Sequence, residues 1–188
     1  MAIPLDPGAG GRSIPVSTLQ KADLIVSTTD AAISRGIRLA TLSPVSHARI
    51  YVGNGRCVDA TGHGVRVRAL EAAIREDGDT LCVAYRKPGL STTQAQAACD
   101  FALAQVGKPY DYAGVGAQVP GVRGSLVGII AHIAGQGEDR FFCSELVFAA
   151  YVHAGAALDS TSAGSSSPAM VPGLWRRSRL GYVGHLLA

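Results

Sequence analysis

Two short segments of this 188-residue chain gather the residue types that nucleophilic catalysis requires. One is Phe141-Phe142-Cys143-Ser144-Glu145-Leu146-Val147, the other Ser46-His47-Ala48-Arg49-Ile50-Tyr51-Val52-Gly53-Asn54-Gly55-Arg56-Cys57-Val58-Asp59-Ala60. Cys143 falls where an apolar helix should start. There, unpaired amide N–H groups and the positive end of the helix dipole favour a thiolate over a thiol. The same amides can donate to an oxyanion formed by attack on a carbonyl. A thiolate needs a base or ion-pair partner, and histidine is the usual one. His47 opens a strand-like run twelve residues before Asp59. A carboxylate on one imidazole nitrogen would turn the other toward the thiol.

Whether His47 and Asp59 meet depends on the turn between them. A hairpin centred on Gly53 sets His47 directly opposite Asp59, both side chains on one face. A two-residue turn at Asn54-Gly55 sets Asp59 opposite Ile50 and sends its side chain to the other face. The sequence leaves both turns open. Each residue also has an ordinary reading: a cysteine in an apolar helix is a small hydrophobe, a histidine opening a strand is structural, and Asp59 before Ala60-Thr61-Gly62 ends its strand in a turn. His63 lies near Asp59, His47 and Cys57 in sequence, but the spacing lacks a zinc signature, and no metal or other cofactor is expected. His132, His153 and His185 read as structural.

The elements that must position these residues are legible in outline. Residues 22–27 form a short apolar run, a buried strand, followed by a helix start at Thr29 or Asp30 that runs toward Leu39. His47–Val52 and Arg56–Ala60 read as hairpin strands, Val65 and Val67 continue the alternation, and Leu81–Arg86 is a further strand. Ser91-Thr92-Thr93-Gln94 matches a capping box. Ala98, Phe101, Ala102 and Val106 follow at helical spacing, with Gly107 as the closing glycine. After a glycine-rich stretch from Gly114 to Gly137, an amphipathic helix runs from Cys143 to His153 with Gly155 behind it. Ser160–Ser167 reads as a polar loop, and Tyr182–Leu187 as a last strand. The order indicates an α+β fold, with residues 1–21 as an N-terminal extension and 22–188 as a single domain.

Composition sets the outer bounds. Hydrophobic residues make up 47% and charged residues 16% of the chain, which excludes a disordered tail. A net charge of +3 is too small for a nucleic-acid footprint. The four cysteines show no CxxC pairing, against a disulfide framework or structural zinc. The first fifteen residues carry no apolar signal-peptide core, and the most apolar stretch, Leu126–Ala134, is too short to span a bilayer. Arg176, Arg177 and Arg179 beside Trp175 read as a solvated basic face.

The His47 segment resembles the histidine strand-turn-strand of the NlpC-like papain-fold hydrolases, and Cys143-Ser144-Glu145-Leu146-Val147 resembles their nucleophile helix. With histidine ahead of cysteine, the order is similar to the circularly permuted branch, the YiiX/YebB-like cysteine hydrolases. Ala22-Asp23-Leu24-Ile25 (Ala22 in place of the usual glycine), Tyr85-Arg86 and Gly107-Lys108-Pro109-Tyr110-Asp111-Tyr112 extend the resemblance over about residues 22 to 186. It implies a papain-like antiparallel sheet packed on helices. Cys143 would be the nucleophile, His47 the general base and acid, Asp59 the orienting residue and Tyr110 a substrate-binding residue. Glu145 and Arg86 look like a structural ion pair. The implied activity is amide hydrolysis, with a peptidoglycan stem peptide or its link to the sugar as substrate. Lacking a signal peptide, the chain would be cytoplasmic as made. It would reach a target cell wall as an effector through a signal-independent secretion route, with an immunity protein as partner. Permuted relatives that resemble lecithin:retinol acyltransferase imply a lipid acyltransferase or phospholipase instead. A catalytically silent binding module is the third reading, and it calls for a buried Cys143 with no histidine in reach.

Overall fold

The computed structural model describes residues 11–29, 45–109, 143–159 and 170–186. The helix expected toward Leu39, the glycine-rich stretch 114–137, the loop 160–167, Tyr110 and His132 lie outside these residues. The described elements are β1 (Ser13–Ile14), a 3-10 turn (Val16–Thr18), β2 (Leu24–Thr29), β3 (His47–Gly53), β4 (Arg56–Thr61), β5 (Gly64–Ala69), α1 (Leu70–Glu76), β6 (Asp79–Arg86), α2 (Thr92–Ala104), α3 (Cys143–His153), α4 (Met170–Arg176) and β7 (Gly181–Leu186). The fold is α+β, as the sequence indicates. The seven strands form one mixed sheet in the order β1-β7-β6-β2-β3-β4-β5, antiparallel throughout except where β1 runs parallel to β7.

Alternation along the strands divides the core in two. Leu24, Val26, Ala48, Ile50, Val58 and Val83 face the layer that holds α2 and α3. Ile25, Tyr51, Cys57, Cys82 and Ala84 face α1 and the N-terminal segment. Helix α2 starts as expected: Ser91 accepts from the Gln94 amide while the Gln94 side chain accepts from the Ser91 amide. It ends at Ala104, so Val106 falls in the following turn and is exposed, and Gly107 closes that turn at φ +94°. Helix α3 is buried around most of its circumference rather than along one stripe, because it packs on α2 and on β3 and β4. Gly155 takes φ +62° behind it, and the Ala156 amide reaches back to the Tyr151 carbonyl.

The hairpin that carries His47 and Asp59 takes neither expected register in full. Asn54 and Gly55 form a two-residue turn with both φ positive, 53° and 68°, flanked by the Gly53–Arg56 pair. Continued unbroken, that turn would set Asp59 opposite Ile50. Instead β3 carries one extra residue, Val52, between its pairings at Tyr51 and Gly53. The bulge shifts the register by one, so Asp59 pairs with Arg49, and Val58 with Ile50. His47, Arg49 and Asp59 thereby share a face, with His47 on the diagonal from Asp59 rather than opposite it.

Candidate active site

His47 is the first residue of β3, and Cys143 the first of α3, which lies across that strand. The imidazole of His47 lies 3.3 Å from Asp59 Oδ2 through Nε2, and it also hydrogen-bonds the Cys143 thiol. The thiol takes further hydrogen bonds from the backbone amides of Ala48 and Ser144, the latter from the first turn of α3. Burial opposes ionisation of Cys143. The His47 charge, its hydrogen bond and the two amides outweigh that and hold the thiol below its ordinary value. His47 responds in kind. Burial and the Arg49 charge pull it down, but the Cys143 thiolate and the Asp59 hydrogen bond raise it from 6.5 to about 9. Both shifts favour a thiolate–imidazolium pair. A silent module calls for a cysteine out of histidine's reach, and that is not what the chain builds.

The other cysteines do the opposite. Burial pushes the thiols of Cys57 and Cys82 up to about 12, and Cys99 upward as well. Cys143 is the one cysteine whose surroundings draw the proton off.

Asp59 is fully buried and sits in a network that sequence reasoning missed. Arg68 Nη2 donates to its Oδ2 at 2.6 Å, and Arg49 Nε to the same oxygen at 3.3 Å. Arg49, itself wholly buried, also donates to Asp77 Oδ2 at 2.6 Å, Asp79 Oδ2 at 2.7 Å and Ser27 Oγ at 2.8 Å. Arg68 grips Asp77 with both terminal nitrogens, at 2.5 and 3.0 Å. Burial raises the Asp59 carboxyl, but His47 and Arg68 together hold it well below the usual carboxylate range. The period-2 placement of His47, Arg49 and Asp59 was the available signal. Arg68 and Asp77 carried none until the strands were paired.

His47, Asp59 and Asp77 could together offer three ligand atoms within 4.8 Å of one another. Asp59 Oδ2 and Asp77 Oδ2 both accept from the guanidinium groups of Arg49 and Arg68, whose two positive charges match these carboxylates and oppose a metal ion beside them. His63 stands exposed in the β4–β5 turn and belongs to no such group among the described residues. Arg86 pairs with Asp23 through two bonds of 2.6 and 2.7 Å at the opposite end of the sheet, and not with Glu145 as expected. Ala22, beside it, adopts φ +64°, which accounts for a glycine being usual there, and its carbonyl accepts from the Tyr151 hydroxyl. His185 hydrogen-bonds Tyr182 at 2.6 Å, and His153 stacks on Phe101, both structural placements.

With this geometry in hand, residues 18–116 match the family described as permuted papain-like amidase enzyme, YaeF/YiiX, C92 family. The chain is 30% identical, over 93% of its length and 73% of the relative's, to "Probable lipoprotein peptidase YaeF" of Escherichia coli K12. The chain belongs to the permuted papain-like amidase family. Among solved structures it is similar to the metalloprotein yiiX of Escherichia coli O157:H7, with a TM-score of 0.62 and 23% identity. That alignment covers 89% of this chain and 97% of the other, a likeness of fold. Membership makes the protein a hydrolase. Among the described residues no helix is long and apolar enough to cross a membrane.

Proposed function

We propose that the protein is a thiol hydrolase of peptide amides, with Cys143 as nucleophile, His47 as general base and acid, and Asp59 as the residue that orients His47. One observation carries the reading: a single imidazole touches both the thiol and a buried carboxylate. The thiolate sulfur bonds to the amide carbon, and the carbonyl π electrons move onto oxygen near the positive end of α3. Collapse of this intermediate expels the amine, which takes the His47 proton, and leaves a thioester. Water then attacks the thioester, giving a proton to His47. The C–S bond breaks, the acid departs, and the thiolate–imidazolium pair is restored.

The amidase description of the family and the peptidase description of the relative support an amide over an ester. The resemblance to cell-wall hydrolases makes peptidoglycan stem peptides the first substrate to test. Because the Asp59 and Asp77 carboxylates are held by guanidinium groups, the scheme uses the chain's own side chains alone. Digestion of purified sacculi by the wild type and by Cys143→Ala tests the proposal. New muropeptides with free amino groups are expected from the wild type only, with the variant slower by at least about a thousandfold. Equal product from both would remove Cys143 from the chemistry. Fatty acid released from lipid vesicles by the wild type alone would move the scissile bond to an acyl lipid.

A further inference from the structure

The shortest hydrogen bond to the carboxylate that faces His47 comes from outside the β3–β4 hairpin. Asp59 Oδ2 lies 3.3 Å from both its β3 neighbours, His47 Nε2 and Arg49 Nε, whereas Arg68 Nη2, from edge strand β5, reaches it at 2.6 Å. Among the described residues the other carboxylate oxygen, Oδ1, is buried with no hydrogen-bond partner. The orientation of Asp59 therefore rests on the oxygen that it shares with Arg68. Arg68 is fixed in turn: its two terminal nitrogens clasp Asp77, at the C-terminal end of α1, and Asp77 also accepts from Arg49. A planar fork gripping one carboxylate while the same nitrogen reaches a second is geometry that arginine supplies and lysine does not.

We propose that Arg68 is a positioning residue for the reaction, anchoring Asp59 so that its carboxylate holds the His47 imidazole against Cys143, with Asp77 as the latch that fixes the guanidinium. The inference rests on the reading of Cys143, His47 and Asp59 given above. Among the described residues, the titratable and charged groups around the imidazole are Arg49 on β3, Asp59 on β4, Arg68 on β5, Asp77 before β6, Asp79 on β6 and Cys143 on α3.

A positioning role and a mere charge role part at the lysine variant. If Arg68 only contributes a positive charge, Arg68→Gln moves Cys143 ionisation to higher pH because the thiolate loses a cation, and Arg68→Lys keeps the wild-type midpoint. If Arg68 anchors Asp59, removing it frees the imidazole from the thiol, and Cys143 ionises at higher pH, toward an ordinary cysteine. The experiment is iodoacetamide labelling of the full chain as a function of pH, read at Cys143 alone by peptide mass spectrometry, for wild type, Arg68→Gln, Arg68→Lys and His47→Ala. An upward move of the labelling midpoint is expected in Arg68→Gln, in the direction of His47→Ala. A smaller move the same way is expected in Arg68→Lys, which keeps a cation and serves should the glutamine variant not fold. Amide hydrolysis should lose about 10- to 100-fold in kcat with KM little changed. A wild-type midpoint in Arg68→Lys, or a downward move in either variant, would overturn the proposal. Failure of the nucleophile reading looks different: Cys143→Ala would retain activity while the labelling shift persisted.

Discussion

Cys143 and His47 each depart from ordinary titration because of the other, and under the proposed mechanism the pair confines activity to a band of pH. The reactive form requires the thiol ionised and the imidazole protonated. Cys143 loses its proton below the ordinary thiol range, so kcat/KM should rise with pH through that early ionisation. His47 loses its proton at about 9, so the rate should fall as pH passes that value. A bell-shaped kcat/KM profile with its alkaline limb near 9 is the expected result, and a profile still climbing above 9 would contradict the ion pair. Replacing His47 by alanine removes the alkaline limb and moves the acid limb to higher pH, because the thiol loses the partner that lowered it.

At the scale of elements, five charged side chains tie β3, β4, β5 and the α1–β6 turn into one unit around Asp59. Asp59→Asn should cost about 3 to 5 kcal/mol in urea unfolding, because Arg68 and the buried Arg49 lose the negative charge that they share. A loss below about 1 kcal/mol would mean that solvent compensates the guanidiniums. This unit also shows what could be read from residues in order. The capping box at Ser91, the start of α3 at Cys143 and the two-residue turn at Asn54-Gly55 are local chemistry, and all three are present. The bulge at Val52 is not local. Nothing in Tyr51-Val52-Gly53 distinguishes an extra residue from a regular one, and only the packing of β3 between β2 and β4 selects the register. Pairing Arg86 with Glu145 failed for a similar reason. The partner, Asp23, lies across a strand pairing and not at any helical or hairpin spacing.

Across the whole molecule, the sheet separates its site from its seam. β1 and β7 close one edge, while His47 and Asp59 lie near the other, with β6 and β2 between. Gly184 lets β1 approach: a Cβ there would meet Ile14 Cγ2 at 2.6 Å and the Arg12 carbonyl oxygen at 2.9 Å. Gly184→Ala should push β1 off the edge and cost about 1 to 3 kcal/mol in thermal or urea unfolding. Cys143 labelling should stay unchanged at the same pH. A labelling shift would show that strain crosses the sheet.

The two arms of the β3–β4 hairpin have a consequence in time as well as in space. His47 and Asp59 are 12 residues apart and joined by a turn, a closure that costs little entropy and forms early. Cys143 lies beyond β5, α1, β6 and α2 in the chain, and during synthesis it emerges from the ribosome after both. A chain caught partway has His47 and Asp59 assembled around an empty seat. Its thiol has the reactivity of any exposed cysteine until α3 docks, so with Cys143 as the proposed nucleophile, activity should appear only once folding is complete.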